Sequence, residues 1–75
     1  MDRNLIARRV RAFRKLKGHT QAELADLLGV SMAVLGSIER GTRKPDIRIL
    51  QRISSILHIE LEELHTTKSG HVERG

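Results

Sequence analysis

Four histidines are the residues of this sequence with the most versatile chemistry, because an imidazole can hold a metal ion or move a proton. They stand at positions 19, 58, 65 and 71, and none is four residues from another, so no helix face would carry a metal-binding pair. The sequence has no cysteine, which excludes disulfides and thiolate sites. We therefore expect no metal, no cofactor and no catalytic residue, and we interpret His19 and His58 as packing or capping residues.

Cationic side chains offer a second kind of chemistry, the binding of anions. The net charge is +5, and it is unevenly distributed. Residues 1–45 carry ten Lys or Arg against four Asp or Glu, a net charge of +6, whereas residues 46–75 carry four against five, a net charge of −1. This asymmetry suggests a polyanionic partner, nucleic acid before membrane, but an ordinary basic helical surface is an equally good interpretation of the charge alone. The single aromatic residue, Phe13, disfavours RNA or single-stranded DNA, whose bases stack on aromatic side chains.

The length and hydropathy restrict the class of protein. A chain of 75 residues is one small domain that buries roughly 60% of the surface of its unfolded form. No apolar run approaches the length of a membrane span, about 18 residues. Asp2 and Arg3 stand where a secretory signal would begin, so we expect a cytoplasmic protein that is neither secreted nor embedded in a membrane.

Helical periodicity predicts an all-α fold of five helices in a domain of residues 1–65, followed by a polar and disordered tail of residues 66–75. The first helix spans about residues 4–17, and Gly18 ends it. Thr20, Ser31 and Asp46 are predicted caps that begin the next three helices, and the fifth spans about residues 60–64. The side chains predicted to face the core are those of Ile6, Val10, Phe13, Leu24, Ala25, Leu28, Leu35, Ile38, Ile47, Leu50, Ile53, Ser54 and Leu57.

The second and third helices are joined by a very short turn, and their residue types match the requirements of a helix-turn-helix. The small side chain of Ala25 lets two helices cross closely. Gly29 can adopt the positive φ of a tight turn without a steric penalty. Five apolar residues complete the spacing, and together these constraints predict the motif: Leu24, Leu28, Val30, Leu35 and Ile38.

These segments, together with Pro45 and the fourth helix, resemble the Xre-type family, which is similar to the DNA-binding domains of the lambdoid phage repressor and Cro. The resemblance covers about residues 5–64. It implies a compact, five-helix lambda-repressor-like domain and a cytoplasmic, sequence-specific duplex-DNA-binding transcriptional regulator, usually a dimer. We expect a repressor, with an activator as the alternative. The stretches that carry it are Gly18-His19-Thr20-Gln21-Ala22-Glu23-Leu24-Ala25, Gly29-Val30-Ser31 and Ile38-Glu39-Arg40-Gly41.

The resemblance implies that residues 31–40 form a recognition helix in the major groove of DNA. Its expected base-contacting residues are Met32, Ala33, Gly36 and Ser37. The family often has Gln, Asn or Arg at these places, whereas the first three of these residues can make only apolar contacts, for which a thymine methyl group is the matching feature. We therefore expect weak direct readout supported by DNA shape, with packing of Met32 and Val34 against protein as the alternative.

The resemblance also assigns residues to the DNA backbone and to the fold. Arg14 and Glu39 match a structural ion pair between the first and third helices. An ordinary solvated loop is the alternative for Arg43 and Lys44. The residues expected to contact phosphates are Thr20, which is first a cap, Gln21, Ser31, Val34, Arg40, Thr42, Arg43 and Lys44.

Four aliphatic residues are candidates for a homodimer interface: Ile49, Ile56, Ile59 and Leu61. A two-fold dimer would favour a palindromic operator. Scattered surface aliphatics are the alternative. A second function also stays open, an antitoxin-like or antagonist module that uses this fold to bind another protein, because the base-reading set is weak.

Overall fold

The computed structural model describes residues 3–65, which form five helices and no strand. The predicted all-α fold is confirmed, and the fifth helix begins two residues later than expected. The predicted tail of residues 66–75, with His71, lies outside the described residues. The helices are α1 Arg3–Leu16, α2 Gln21–Leu28, α3 Met32–Arg40, α4 Ile47–Leu57 and α5 Glu62–His65.

Local side-chain hydrogen bonds begin three of the helices. The Thr20 hydroxyl accepts from the Glu23 amide at 3.0 Å, and the Glu23 carboxylate accepts from the Thr20 amide at 2.8 Å, so the predicted capping box is confirmed. Ser31 and Asp46 accept in the same way from the amides of Val34 and Ile49. Each of these contacts spans three residues, so the start of each helix is encoded locally.

Two left-handed residues end helices where the sequence indicated it. Gly29 follows α2 with φ +76°, and because glycine has no Cβ this left-handed conformation causes no steric clash. His58 follows α4 with φ +57° and is the non-glycine residue of positive φ within residues 3–65. The interpretation of His58 as a cap is therefore confirmed, at a conformational cost of about 1–2 kcal/mol relative to glycine.

The core is aliphatic and is shared by all five helices. α1 packs against α3, α4 and α5, while α2 packs against α3 and α4. Phe13 is only partly buried at the edge of this core. The fully buried side chains are those of Ile6, Val10, Leu24, Leu35, Ile38, Leu50, Ile53, Leu57 and Leu64.

Three aliphatic residues of α4 differ from expectation. Ile47 was predicted to face the core, but it is 46% exposed, because it is the first residue of the helix and extends past the packed turns. Ile49 and Ile56, candidates for the dimer interface and absent from the predicted core, are half-buried and pack against the core. The aliphatic stripe of α4 is therefore broader than the core-facing set predicted from spacing.

α2 and α3 cross as the motif requires. The two helices form a pair bent by 110°. Within residues 3–65 no single helix is long and apolar enough to span a membrane, and only this bent pair reaches that length and composition. That bend lies in the range of about 90–120° typical of a helix-turn-helix. Ala25 is buried at the crossing, and its carbonyl accepts from the Val30 amide at 3.0 Å.

Candidate nucleic-acid interface

A buried ion pair fixes the C-terminal end of α3 to α1. Arg14 Nε lies 2.7 Å from Glu39 Oε2, and Arg14 Nη2 donates to Glu39 Oε1 at 3.0 Å. Only 10% of the Arg14 side chain and 4% of the Glu39 side chain are exposed. The predicted pair is thus present and bidentate, the geometry in which guanidinium and carboxylate bind most strongly.

Two further hydrogen bonds extend this ion pair to the start of α2. Arg14 Nη1 donates to the His19 carbonyl at 3.0 Å, so His19 contributes through its backbone. Gln21 Nε2 donates to Glu39 Oε1 at 3.2 Å. The ion pair therefore connects α1, the start of α2 and the end of α3, and it sets the position of α3 relative to the other two helices.

The N-terminal part of α3 presents a mixed surface to solvent. Met32 is 52% exposed, Ala33 is exposed, and Val34 and Ser37 are half-buried. The Ser37 hydroxyl donates to the Ala33 carbonyl at 2.9 Å, which leaves its oxygen as an acceptor. Met32 thus keeps about half of its surface available to a partner, whereas Val34 is more covered by protein.

Gly36 differs from its three neighbours in the predicted base-contacting set, because it is buried. The guanidinium of Arg40, one turn further along α3, lies over it: a Cβ at position 36 would be 3.0 Å from Arg40 Nη1. Side chains on a helix tilt toward its N-terminus, so a long side chain can cover the residue four positions earlier when that residue has no side chain of its own. The Arg40 guanidinium therefore forms the solvent-facing surface over Gly36.

The loop after α3 carries three of the predicted phosphate-binding residues. Thr42, Arg43 and Lys44 are exposed and precede the buried Pro45. The Thr42 hydroxyl donates to the Ser37 carbonyl at 3.2 Å, so it also caps α3. Thr20 caps the start of α2 and Ser31 caps the start of α3, while Gln21, the first residue of α2, is half-buried against Glu39.

A polar cleft of about 320 Å³ lies between α1, the start of α2 and α3. The sequence offered Arg11, together with Arg8 and Arg9, only as a weaker candidate for DNA contact, with diffuse attraction as the alternative, and the structure places Arg11 in the lining of this cleft. The sequence spacing could have predicted this position, because Arg11 stands three residues before Arg14 and the two therefore share a helix face. The lining residues are Arg11, Arg14, Gln21, Gly36, Glu39 and Arg40.

Residues 3–65 contain no group of three or more His, Asp or Glu side chains placed to hold a metal ion.

A bent pair of helices with an exposed second helix, followed by a cationic loop, defines a helix-turn-helix DNA-binding domain. Residues 10–64, well over half of the chain, match the family described as Helix-turn-helix. The chain belongs to this family, and the expected Xre-type resemblance is confirmed.

Relatives and solved structures agree with this assignment. The chain is 48% identical over 64 residues to the uncharacterized HTH-type transcriptional regulator YazB of Bacillus subtilis, covering 85% of this chain and 93% of YazB. It is 38% identical to the HTH-type transcriptional regulator SinR of Bacillus subtilis, over 85% of this chain and 62% of SinR. The restriction-modification controller protein C.AhdI from Aeromonas hydrophila superposes with a TM-score of 0.79 at 33% identity, over 84% of this chain and 96% of that one. The predicted class, a sequence-specific DNA-binding transcriptional regulator with this fold, is confirmed.

Proposed function

We propose that this chain acts as a homodimeric, cytoplasmic repressor that binds a palindromic operator with α3 in the major groove and performs no catalysis. The observation that carries the proposal is the exposed N-terminal part of α3, with Met32 and Ala33 open to solvent beside the cationic loop. Helix-turn-helix proteins contact base edges with this part of the second helix.

Base readout in this proposal combines apolar and polar contacts. Met32 and Ala33 contact thymine methyl groups. Ser37 accepts a hydrogen bond from a base amino group, because its own proton is engaged by the Ala33 carbonyl. Gly36 contributes no side chain, and its backbone is reached by a base only if the Arg40 guanidinium moves. Direct readout is therefore limited, and DNA shape contributes to specificity.

Phosphate contacts in this proposal come from two sides of α3. Gln21 and the caps Thr20 and Ser31 lie at the starts of α2 and α3, where free amides and the helix dipole favour an anion. In the proposed complex, Val34 packs beside the DNA backbone. Arg40, Thr42, Arg43 and Lys44 hold the flanking phosphates after α3.

The proposed dimer uses the half-buried aliphatic residues of α4 and of the segment after it, Ile49, Ile56, Ile59 and Leu61. Each keeps part of its surface exposed while the rest packs on the core, so a second copy would cover what remains. Two-fold symmetry would place the two α3 helices about 34 Å apart, one turn of duplex DNA.

The test is a selection from random duplex DNA by the purified protein at moderate salt, followed by sequencing of the retained molecules. We expect enrichment of an inverted repeat whose half-sites are about 10 base pairs apart and contain thymines at fixed positions. A single unrepeated half-site would contradict the dimer. Retention that depends on salt without any enrichment would contradict sequence-specific regulation, and no retention would favour a protein partner instead.

A further inference from the structure

The cleft between α1, α2 and α3 has the charge of an anion-binding site. Three arginines line it, and the carboxylate that also lines it belongs to Glu39. That carboxylate is already paired with Arg14 and accepts from Gln21, so it does not neutralise the other two arginines. The lining residues carry a net charge of +2, and the cationic groups left to attract an anion are those of Arg11 and Arg40.

Gly36 gives the cleft its depth on the α3 side. Because this residue has no Cβ, the guanidinium of the exposed Arg40 can lie over it, with Nη1 3.0 Å from the position that a Cβ would occupy. Its Nη2 is 3.5 Å from the Ser37 hydroxyl oxygen, at the limit of a hydrogen bond, which leaves its donors available. Arg40 is thus held beside Gln21, whose Nε2 lies 3.7 Å from the same Cβ position.

The cleft adjoins the surface that the proposed function assigns to DNA. Gln21, Gly36 and Arg40 were each expected at the DNA interface, and the structure places all three around one cavity together with Arg11. Gln21 uses one N–H for Glu39 and retains a second, because a side-chain amide has two. Guanidinium forks match the geometry of a phosphodiester.

We propose that this cleft binds a single DNA phosphate, which Arg11 of α1 and Arg40 of α3 grip together. The proposal rests on the proposed function. In it Arg11 becomes a DNA-binding residue, and Gly36 is a positioning residue that keeps the guanidinium of Arg40 within reach of the phosphate that Arg11 contacts. α1 thus contacts the DNA through one arginine rather than through diffuse charge.

The test is the salt dependence of operator binding, measured by fluorescence anisotropy with duplex DNA obtained from the selection. The logarithm of the association constant falls against the logarithm of salt concentration with a slope of about −0.9 for each phosphate neutralised. Arg11→Gln and Arg40→Gln should each weaken binding and make the slope less steep. Because both residues hold one phosphate, the double variant should change the slope by about 0.9, and not by about 1.8.

The matched control is Arg8→Gln. Arg8 is an exposed arginine on the same helix and lines a different groove, so its loss removes the same charge outside the cleft. A second variant, Gly36→Leu, fills the cleft without removing any charge. It should reproduce the loss of slope seen in the double arginine variant while the circular dichroism of the free protein stays helical.

Three results would overturn this proposal while leaving the proposed function intact. The first is an equal effect of Arg8→Gln and Arg11→Gln, which would indicate diffuse attraction. The second is a slope change near 1.8 in the double variant, which would indicate two separate phosphates. The third is an unchanged slope in a folded Gly36→Leu protein. A wild-type protein that binds no DNA would overturn the proposed function and this proposal with it. That outcome differs from the three above because the wild type would then give no salt dependence with which the variants could be compared.

Discussion

The two ends of α3 are built for different tasks. At its C-terminal end, Glu39 is buried and joined to Arg14 by two short contacts and to Gln21 by a third. At its N-terminal end, Met32 and Ala33 face solvent, and the Ser31 hydroxyl provides only a local cap. The helix is therefore fixed at its C-terminal end and exposes its N-terminal end to solvent. Substitutions at the C-terminal end should change stability, whereas substitutions at the N-terminal end should change DNA binding.

Glu39→Ala should produce the largest change in stability. It leaves the Arg14 guanidinium buried with the His19 carbonyl as its remaining partner, and an unpaired buried charge typically costs about 3–5 kcal/mol. Urea unfolding followed by circular dichroism measures the loss, which is comparable to much of the total stability of a small domain.

The control for this loss replaces both partners. Arg14→Met combined with Glu39→Leu removes both charges and leaves none unpaired, so most of the stability should return. A melting temperature that is unchanged in Glu39→Ala would show that the ion pair does not hold α3 in place.

Met32→Ala should leave stability nearly unchanged and weaken binding to the selected operator. An exposed side chain contributes little to folding, whereas loss of one base contact costs about 1 kcal/mol, roughly five-fold in affinity. Replacing the contacted thymine with uracil removes the same methyl group, so the substituted DNA should bind the variant and the wild type equally well.

Leu16→Ala is the matched control, because Leu16 is 73% exposed on α1 and belongs to no proposed interface. If Leu16→Ala and Met32→Ala weaken operator binding equally, the N-terminal end of α3 does not read the base. The comparison between the two ends of α3 would then reduce to a difference in stability alone.

The sequence predicted what short-range chemistry determines. The capping box between Thr20 and Glu23 and the left-handed Gly29 depend on residues a few positions apart, and both are present as expected. The Arg14–Glu39 pair is separated by 25 residues, and it was predicted from family resemblance rather than from spacing.

Side-chain placement across helices was harder to predict. Covering of Gly36 by Arg40 depends on the absence of a Cβ and on a rotamer that spacing alone does not specify. The half-burial of Ile49 and Ile56 depends on how closely other elements pack around α4. The DNA contacts themselves stay predictions, because they depend on a partner as well as on this chain.

The smallest expected effect concerns Glu23, at the start of α2, and it sharpens the contrast with Glu39. The Thr20 backbone amide, then the Thr20 hydroxyl, hydrogen-bond this carboxylate and hold its pKa below the ordinary value of 4.5, although the group is fully exposed. A carboxylate whose pKa is lower in the folded state stabilises that state above the unfolded pKa, and this contribution disappears as the pH falls through the folded pKa.

Glu23→Gln keeps a hydrogen-bonding side chain without the charge, so its melting temperature should be slightly below that of the wild type at pH 7. The difference should vanish as the pH falls through the lowered pKa in a series of thermal melts. A difference that persists in acid would show that the charge of Glu23 does not stabilise α2, and that charge affects the stability of this motif only where it is buried, at Glu39.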